Sequence, residues 1–300
     1  MEFDAGQLRA LDAAVTEGSL DGAARVLQVT PSAVSQRLRA LESSVGQVLL
    51  VRSRPVAATT AGLVVLRLAR QVSLVSADAA AALGDPGGTD RGSTDHGPSL
   101  PVAVNADSLG TWVLPAVAPL SGRLRLDLRR DDEERTGDML RDGTVMAAIT
   151  TEASAVAGCR VTTLGAMRYR PMASPEFVRR WFPDGADPAA LGRAPVVRFD
   201  RRDDLQHSWL RGLGVRSEPP THHVPATADH FTAVRSGLGW GMVPDLLCGD
   251  DEHAGVLVDL APGQVVDRVL HWQQWRLRSR ALDDLAGAVV SAGRAHLLPF

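Results

Sequence analysis

Lysine is absent from this 300-residue sequence; all 32 basic side chains are arginine. A GC-rich coding sequence accounts for that bias, so it excludes nothing. The other shortages say more. The two cysteines, Cys159 and Cys248, lie far apart and form no CxxC pair. A disulfide framework and a zinc site of ordinary ligand spacing are thereby excluded. No apolar run approaches the ~18 residues that a membrane span needs. The opening Met1-Glu2-Phe3-Asp4 is acidic and does not lead into an apolar stretch. No secretory leader and no membrane partner are therefore expected, and the cytoplasm is. HExxH, GxSxG and Walker patterns are missing too. The expectation is a protein that is no enzyme and has no cofactor, metal or catalytic residue.

What is present reads as globular: 45% hydrophobic and 22% charged residues. A chain of this length holds roughly two domains. The net charge of −3 is unevenly spread. Residues 22–70 carry seven arginines against one acid, Glu42, while residues 1–21 carry one arginine and five acids. A basic segment on an otherwise acidic chain suggests a polyanionic partner for that segment alone. The clearest boundary is 84–98, GDPGGTDRGSTDHGP, with five glycines, two prolines and no large apolar side chain. It reads as a flexible linker.

Residues 1–58 read as three helices and a wing. Leu8, Leu11, Ala14 and Val15 form the stripe of the first helix. Ser19 is placed to cap the second, which turns Ala23, Ala24 and Leu27 inward. Thr30 is a good N-cap for the third, with Pro31 at its first position, where the missing N–H costs nothing. Val34, Leu38 and Leu41 give that helix one buried face, and Gly46 suits its end. The pair forms a helix-turn-helix, expected from about Asp21 to Ala40. Thr30, Ser32, Ser35, Gln36, Arg37 and Arg39 are its candidate DNA contacts. Small hydroxyls allow close approach, glutamine pairs with adenine, and arginine pairs with guanine or phosphate. Arg52 and Arg54, beside the rigid Pro55, form a basic loop suited to phosphate or the minor groove. A further helix is expected over 59–83. Its Val65, Leu68, Val72, Val75, Ala79 and Ala82 make a heptad seam that suits dimerisation.

The stretch Gly18-Ser19-Leu20, Ala23-Ala24, Leu27, Thr30 to Leu38, Leu41-Glu42, Gly46, Arg52 and Thr60-x-Gly62 resembles the N-terminus of LysR-type transcriptional regulators. "TPSAVSQRLRALE", "RSRP" and "VNADSLGTWVLPA" are similar to the LysG/ArgP subgroup, regulators of lysine and arginine exporters. The resemblance spans the chain apart from 84–98, which is longer and richer in glycine than the pattern. It implies an α-helical winged helix-turn-helix (1–58) and a long linker helix (59–83). An α/β two-lobed, periplasmic-binding-protein-like effector domain follows (99–300). Lobe I is expected over 99–165 and 267–300, and lobe II over 166–266. The implied partners are double-stranded DNA with imperfect two-fold symmetry, a basic amino acid effector, a second copy of the chain as homodimer or tetramer, and RNA polymerase.

The remaining sequence agrees with an α/β reading. Strands are expected over 102–105, 123–129, 145–149, 196–199 and 240–244, and helices over 108–117, 132–143, 203–213 and 229–237. Passages between lobes near Gly165 and within 266–275 would make a hinge and a cleft. Strand ends that feed helices are natural anion sites, here at Asn105-Ala106-Asp107-Ser108 and at Thr227-Ala228-Asp229. Ser108 is expected to cap its helix and receive an α-carboxylate. Acids at element ends suit amino and cationic groups. The effector candidates are Asn105, Asp107, Ser108, Asp132, Glu152, Asp200 and Asp229, with Asp131 and Glu133 in reserve.

Other readings compete. An enzyme would need more than the loop pair His222-His223 and two buried-type cysteines. A transport-binding protein shares the two lobes but needs a leader and no helix-turn-helix. A regulator of another pathway with a different small effector, and a general DNA-binding or replication-inhibiting protein, both keep the N-terminus.

Overall fold

The computed structural model describes residues 2–51, 53–83, 99–130 and 136–300. The expected linker 84–98, the candidates Arg52 and Asp132, and the reserve acids Asp131 and Glu133 lie outside the described residues.

The chain opens with three helices: α1 (Ala5–Thr16), α2 (Leu20–Val26) and α3 (Pro31–Val45). Each start is capped by the preceding side chain. Asp4 accepts from Gln7 N–H, Ser19 from Gly22 N–H, and Thr30 from Ala33 N–H. Gly46 closes α3 in the left-handed conformation, φ 75°. The two-stranded wing, β1 (Leu50–Val51) and β2 (Ala57–Ala58), follows, and then α4 (Thr60–Ala82). Leu8, Leu11, Ala14, Ala23, Val34, Leu38 and Leu41 share one core with Leu49 of the wing base and Val65, Leu66 and Ala69 of α4.

The next elements are β3 (Ser99–Val104), α5 (Ala106–Ser108), a π-helical turn (Leu109–Val113), α6 (Leu114–Val117), β4 (Arg125–Arg130), α7 (Thr136–Arg141) and β5 (Ala147–Thr150). Then come β6 (Cys159–Ala173), α8 (Pro175–Trp181), α9 (Pro188–Leu191), β7 (Val196–Arg198), α10 (Leu205–Gly212), β8 (Thr221–His223) and α11 (Thr227–Arg235). The chain ends with β9 (Gly241–Pro244), α12 (Asp245–His253), β10 (Val258–Asp259), β11 (Val266–Trp275) and α13 (Arg280–His296).

These elements form two compact units. The first comprises Met1–Val104, Val117–Val161 and Trp272–Ala288. Besides the helical bundle it holds β3, paired in parallel with β4 from Ser99↔Arg125 to Val104↔Arg130 and with β5 at Val102↔Ala147. The second comprises Asn105–Ala116, Thr162–His271 and Val289–Phe300. There β6 runs antiparallel to β9 and β10, and β7 runs parallel to β8. Arg170 on β6 ties α12 and β10 to the sheet through Glu252 and Asp259.

Several expectations shift. The helix-turn-helix is wider than the expected Asp21 to Ala40. Asp21 lies inside the first turn of α2, which already starts at Leu20, and Ala40 lies inside α3, which runs on to Val45. The true ends are the capping residues, Ser19 before and Gly46 after, because they satisfy or redirect the terminal backbone groups. Asp21 and Ala40 are both exposed and mark no boundary.

The chain changes unit at 161/162 and 271/272, but also around 105–116 and after 288. The first extra segment follows from contact: a Cβ on Gly110 would stand 3.3 Å from Thr227 Cβ. The second follows from Gly293, where a Cβ would stand 3.1 Å from Leu164 Cβ. Ser108 does not cap a helix. Asn105, in extended conformation, takes the N-cap position, and the chain is already helical at Ala106. The seam of α4 divides. Val65 is buried in its own unit, and Leu68 and Val72 pack on the same core, while Val75, Ala79 and Ala82 face solvent. The absence of a long apolar stretch also needs correction: Thr60–Ala80 is long and apolar enough, by length and composition, to cross a membrane. Its Leu66, Ala69, Arg70 and Leu74 are nonetheless buried.

Candidate functional sites

The DNA-facing candidates follow from the packing of α3. Burying Val34, Leu38 and Leu41 turns the opposite face outward. Ser32, Gln36 and Arg39 are exposed there, and Ser35 is half-buried. Thr30 is exposed but occupied, since its Oγ1 caps Ala33 N–H and hydrogen-bonds Ser32 Oγ at 2.9 Å. Arg37 is half-buried and leans back toward α1, with its guanidinium carbon 3.9 Å from where a Cβ on Gly6 would stand. Arg54 is exposed at the wing tip.

The wing is fixed from both sides. Glu42, the only acid of the basic window, accepts from Leu49 N–H at 2.8 Å and Leu50 N–H at 3.4 Å. Gly18, at φ 64°, receives Val56 N–H on its carbonyl at 2.8 Å. A Cβ there would meet Pro55 Cβ at 2.9 Å. Sequence reasoning missed Glu42 because an acid in a basic window looks like mere charge balance.

The effector candidates fare differently. In the second unit Asp107, in the first helical turn after β3, accepts from Tyr169 OH at 2.8 Å and from Thr227 Oγ1 at 2.7 Å. No arginine among the described residues pairs with this carboxylate; both donors are neutral. Asn105 and Ser108 beside it are buried, and the enclosed Ser108 hydroxyl has no hydrogen-bond partner among the described residues. Thr227 opens α11 directly after Ala226, whose φ of 130° is one that only glycine adopts easily. Asp229, two residues further on, is exposed. Asp200 accepts from Arg202 N–H and Asp203 N–H within its own turn. In the first unit, Glu152 pairs with Arg141 at 2.6 Å. The structure thus brings Asn105, Asp107, Ser108 and Thr227 together. Asp200 is engaged in its own turn and Glu152 in an ion pair.

Tyr169 was missed. Its one signal in the sequence is that no other tyrosine exists. Its position on a strand of fifteen residues gave no reason to aim it at Asp107.

Known proteins share this arrangement of elements. The profile "Bacterial regulatory helix-turn-helix protein, lysR family" matches residues 5–63, and the "LysR substrate binding domain" profile matches 97–294. The chain is 43% identical over 287 residues to the lysine export transcriptional regulatory protein LysG of Corynebacterium efficiens, covering 94% of this chain and 95% of that one. The crystal structure of ArgP from Mycobacterium tuberculosis is similar with a TM-score of 0.83 at 42% identity, over all of both chains. Full-length LysG from Corynebacterium glutamicum with bound effector Arg gives 0.73 at 38% identity, over 99% of this chain and 100% of that one.

Proposed function

Because the chain belongs to the LysR family of bacterial regulatory helix-turn-helix proteins, a family of DNA-binding transcriptional regulators, we infer that it answers to a basic amino acid, lysine or arginine. The observation that carries this reading is the Asp107 carboxylate, held by two hydroxyls and neutralised by no arginine among the described residues. An amino group completes that site with a charge-assisted bond, where a neutral ligand adds none. The enclosed, unbonded Ser108 hydroxyl next to it offers a further polar contact. The arginine bound to LysG of Corynebacterium glutamicum supports the same chemistry. Asn105, Thr227 and Asp229 complete the proposed effector set.

The rest of the reading follows. Ser32, Ser35, Gln36 and Arg39 read base edges, while Arg37, Arg52 and Arg54 serve phosphate and groove, with Thr30 holding the helix start. Two copies joined along the exposed end of α4 read an operator of imperfect two-fold symmetry in the cytoplasm, alone or as a tetramer, with RNA polymerase at the same promoter. The regulated gene is one for basic amino acid export, by likeness to the Corynebacterium efficiens protein.

Titration calorimetry tests the effector. Lysine and arginine bind; norleucine, which lacks only the terminal charge of lysine, does not; Asp107→Asn loses binding of both. Norleucine matching lysine, or Asp107→Asn binding as before, overturns the reading.

A further inference from the structure

Within the first unit, a charged side chain lies almost wholly out of water in the middle of α4. Arg70 is 3% exposed. An arginine so placed is tolerated only where each face of its guanidinium edge meets an acceptor. Its Nε donates to Asp12 Oδ1 on α1 at 2.9 Å. Its Nη1 donates to the Gly143 carbonyl at 2.8 Å and to the Thr144 carbonyl. One planar group therefore joins three segments: the DNA-binding bundle, α4, and the turn that leaves α7.

One turn earlier, Arg67 makes a second junction. Its guanidinium lies 5.1 Å from the ring centroid of the buried Trp275. The two turns it meets hold Gly143 and Gly158 at φ 77° and 81°, in the left-handed region that favours glycine. A Cβ on Gly143 would stand 2.7 Å from Arg67 Cβ, and one on Gly158 would stand 2.6 Å from Arg67 Nη2.

Both junctions lead to the same loop. Arg141, the last residue of α7, pairs with Glu152. Gln273, two residues before Trp275 on β11, donates to the Glu152 and Ser154 carbonyls and accepts from Val156 N–H, each at 2.9 Å. The backbone and carboxylate of the 152–156 loop are thus held by two routes that end on Arg70 and Arg67.

We infer that Arg70, seconded by Arg67, is the positioning residue through which the 152–156 loop sets the placement of the DNA-binding helices. The inference rests on the effector reading given above only for the choice of arginine as the ligand in its test. Its physical basis is directional. A guanidinium that must satisfy a carboxylate and two carbonyls at once admits one placement of α4 and gives way as a unit. A coupling of this kind is a ratio of affinities, and it is reciprocal.

The experiment compares operator affinity with and without saturating L-arginine, for the full chain and for Arg70→Gln, with calorimetry of arginine on the same samples. The unaltered protein binds arginine and shifts its operator affinity. Arg70→Gln still binds arginine, within about threefold, while its shift falls to within about twofold of none. A shift equal to that of the unaltered protein overturns the inference, as does an unaltered protein that binds arginine without any shift. If Arg70→Gln does not fold, Arg67→Leu, which keeps an apolar contact on Trp275, takes its place: a reduced shift supports the inference and a full one overturns it. If the unaltered protein binds no arginine, the effector reading fails on its own. The coupling is then judged by hydrogen exchange. Arg70→Gln raises exchange both in α1 around Asp12 and at 143–145; a rise on one side alone overturns it.

Discussion

Tyr169, the chain's only tyrosine, donates its phenol proton to the carboxylate of Asp107, 62 residues earlier, at 2.8 Å. The ring is 3% exposed, and its acceptor Asp107 is half-buried. A hydrogen bond to a charged group contributes about 1.5–3 kcal/mol. Tyr169→Phe removes the donor and keeps the ring. Urea unfolding should show a loss near that size, and calorimetry should show weaker arginine binding, because Thr227 alone then orients the carboxylate. Unchanged values in both would mean that the bond does not hold Asp107.

Glu42 should matter to DNA without touching it. Glu42→Ala frees the Leu49 and Leu50 amides from their acceptor at the base of the wing. Fluorescence anisotropy should show affinity falling for operator and random DNA alike, with helix content by circular dichroism kept. Gln36→Ala, from the exposed face of α3, should instead cost about 1–3 kcal/mol on operator alone. If both variants lose affinity in the same pattern, the distinction between wing and base reading is wrong.

For the dimer, the informative substitution is Val75→Glu. Val75 is 48% exposed, whereas Leu68 and Val72 already pack on the N-terminal core. A charge at Val75 is harmless to the monomer and costly only when a second copy covers it. Light scattering should show dissociation at an unaltered melting temperature. A dimer that persists places the interface elsewhere.

Neither cysteine should react in the native protein. Burial pushes the Cys248 thiol up to about 12, and burial also raises Cys159 against the lowering influence of Arg67 and Arg276. The nucleophile is the thiolate, which is scarce at neutral pH under those conditions. A thiol reagent at pH 7.5 should label no site until denaturant is added, and then two. Labelling in the native state would contradict the burial.

His271 gives an acid limit. Burial holds its imidazole below its ordinary value, so the folded chain favours the neutral form. Its contribution is present above the unfolded value, near 6.5, and is lost as pH falls through the lower folded value. Melting temperatures should decline more steeply below pH 6.5 in the unaltered protein than in His271→Gln. Parallel declines would show that other groups set the limit.

The N-terminal elements were legible because each carries its own signal. Ser19, Thr30 and Gly46 mark ends, and Val34, Leu38 and Leu41 mark a face. Asp21 and Ala40 carry no such signal, and bounds drawn at them fell short of the helices. The effector region was legible only in part. The Asn105-to-Ser108 stretch stands out as polar residues after an apolar strand, but the local pattern gave the cap to Ser108 rather than Asn105. Tyr169 and Thr227 reach Asp107 only through tertiary pairing over 62 and 120 residues, for which no local periodicity exists. The seam of α4 misled for a related reason. Heptad spacing shows that a stripe must be buried, not by which partner, and Val65 found its partner within its own chain.

The glycine at position 62 gives the wing a mechanical bearing. Thr59 Oγ1 donates to the Val48 carbonyl at 2.7 Å and also accepts from Gly62 N–H, and a Cβ on Gly62 would stand 2.0 Å from the Leu49 carbonyl oxygen. No side chain fits between the root of α4 and the base of the wing, so the two turn as one piece. A helix of 23 residues is about 34 Å long, the rise of one turn of DNA. As a lever of that length it converts a tilt of about 10° into a displacement of about 6 Å at its end, nearly two base-pair steps. Small angles at the far end of α4 therefore become shifts of base-pair size at the wing.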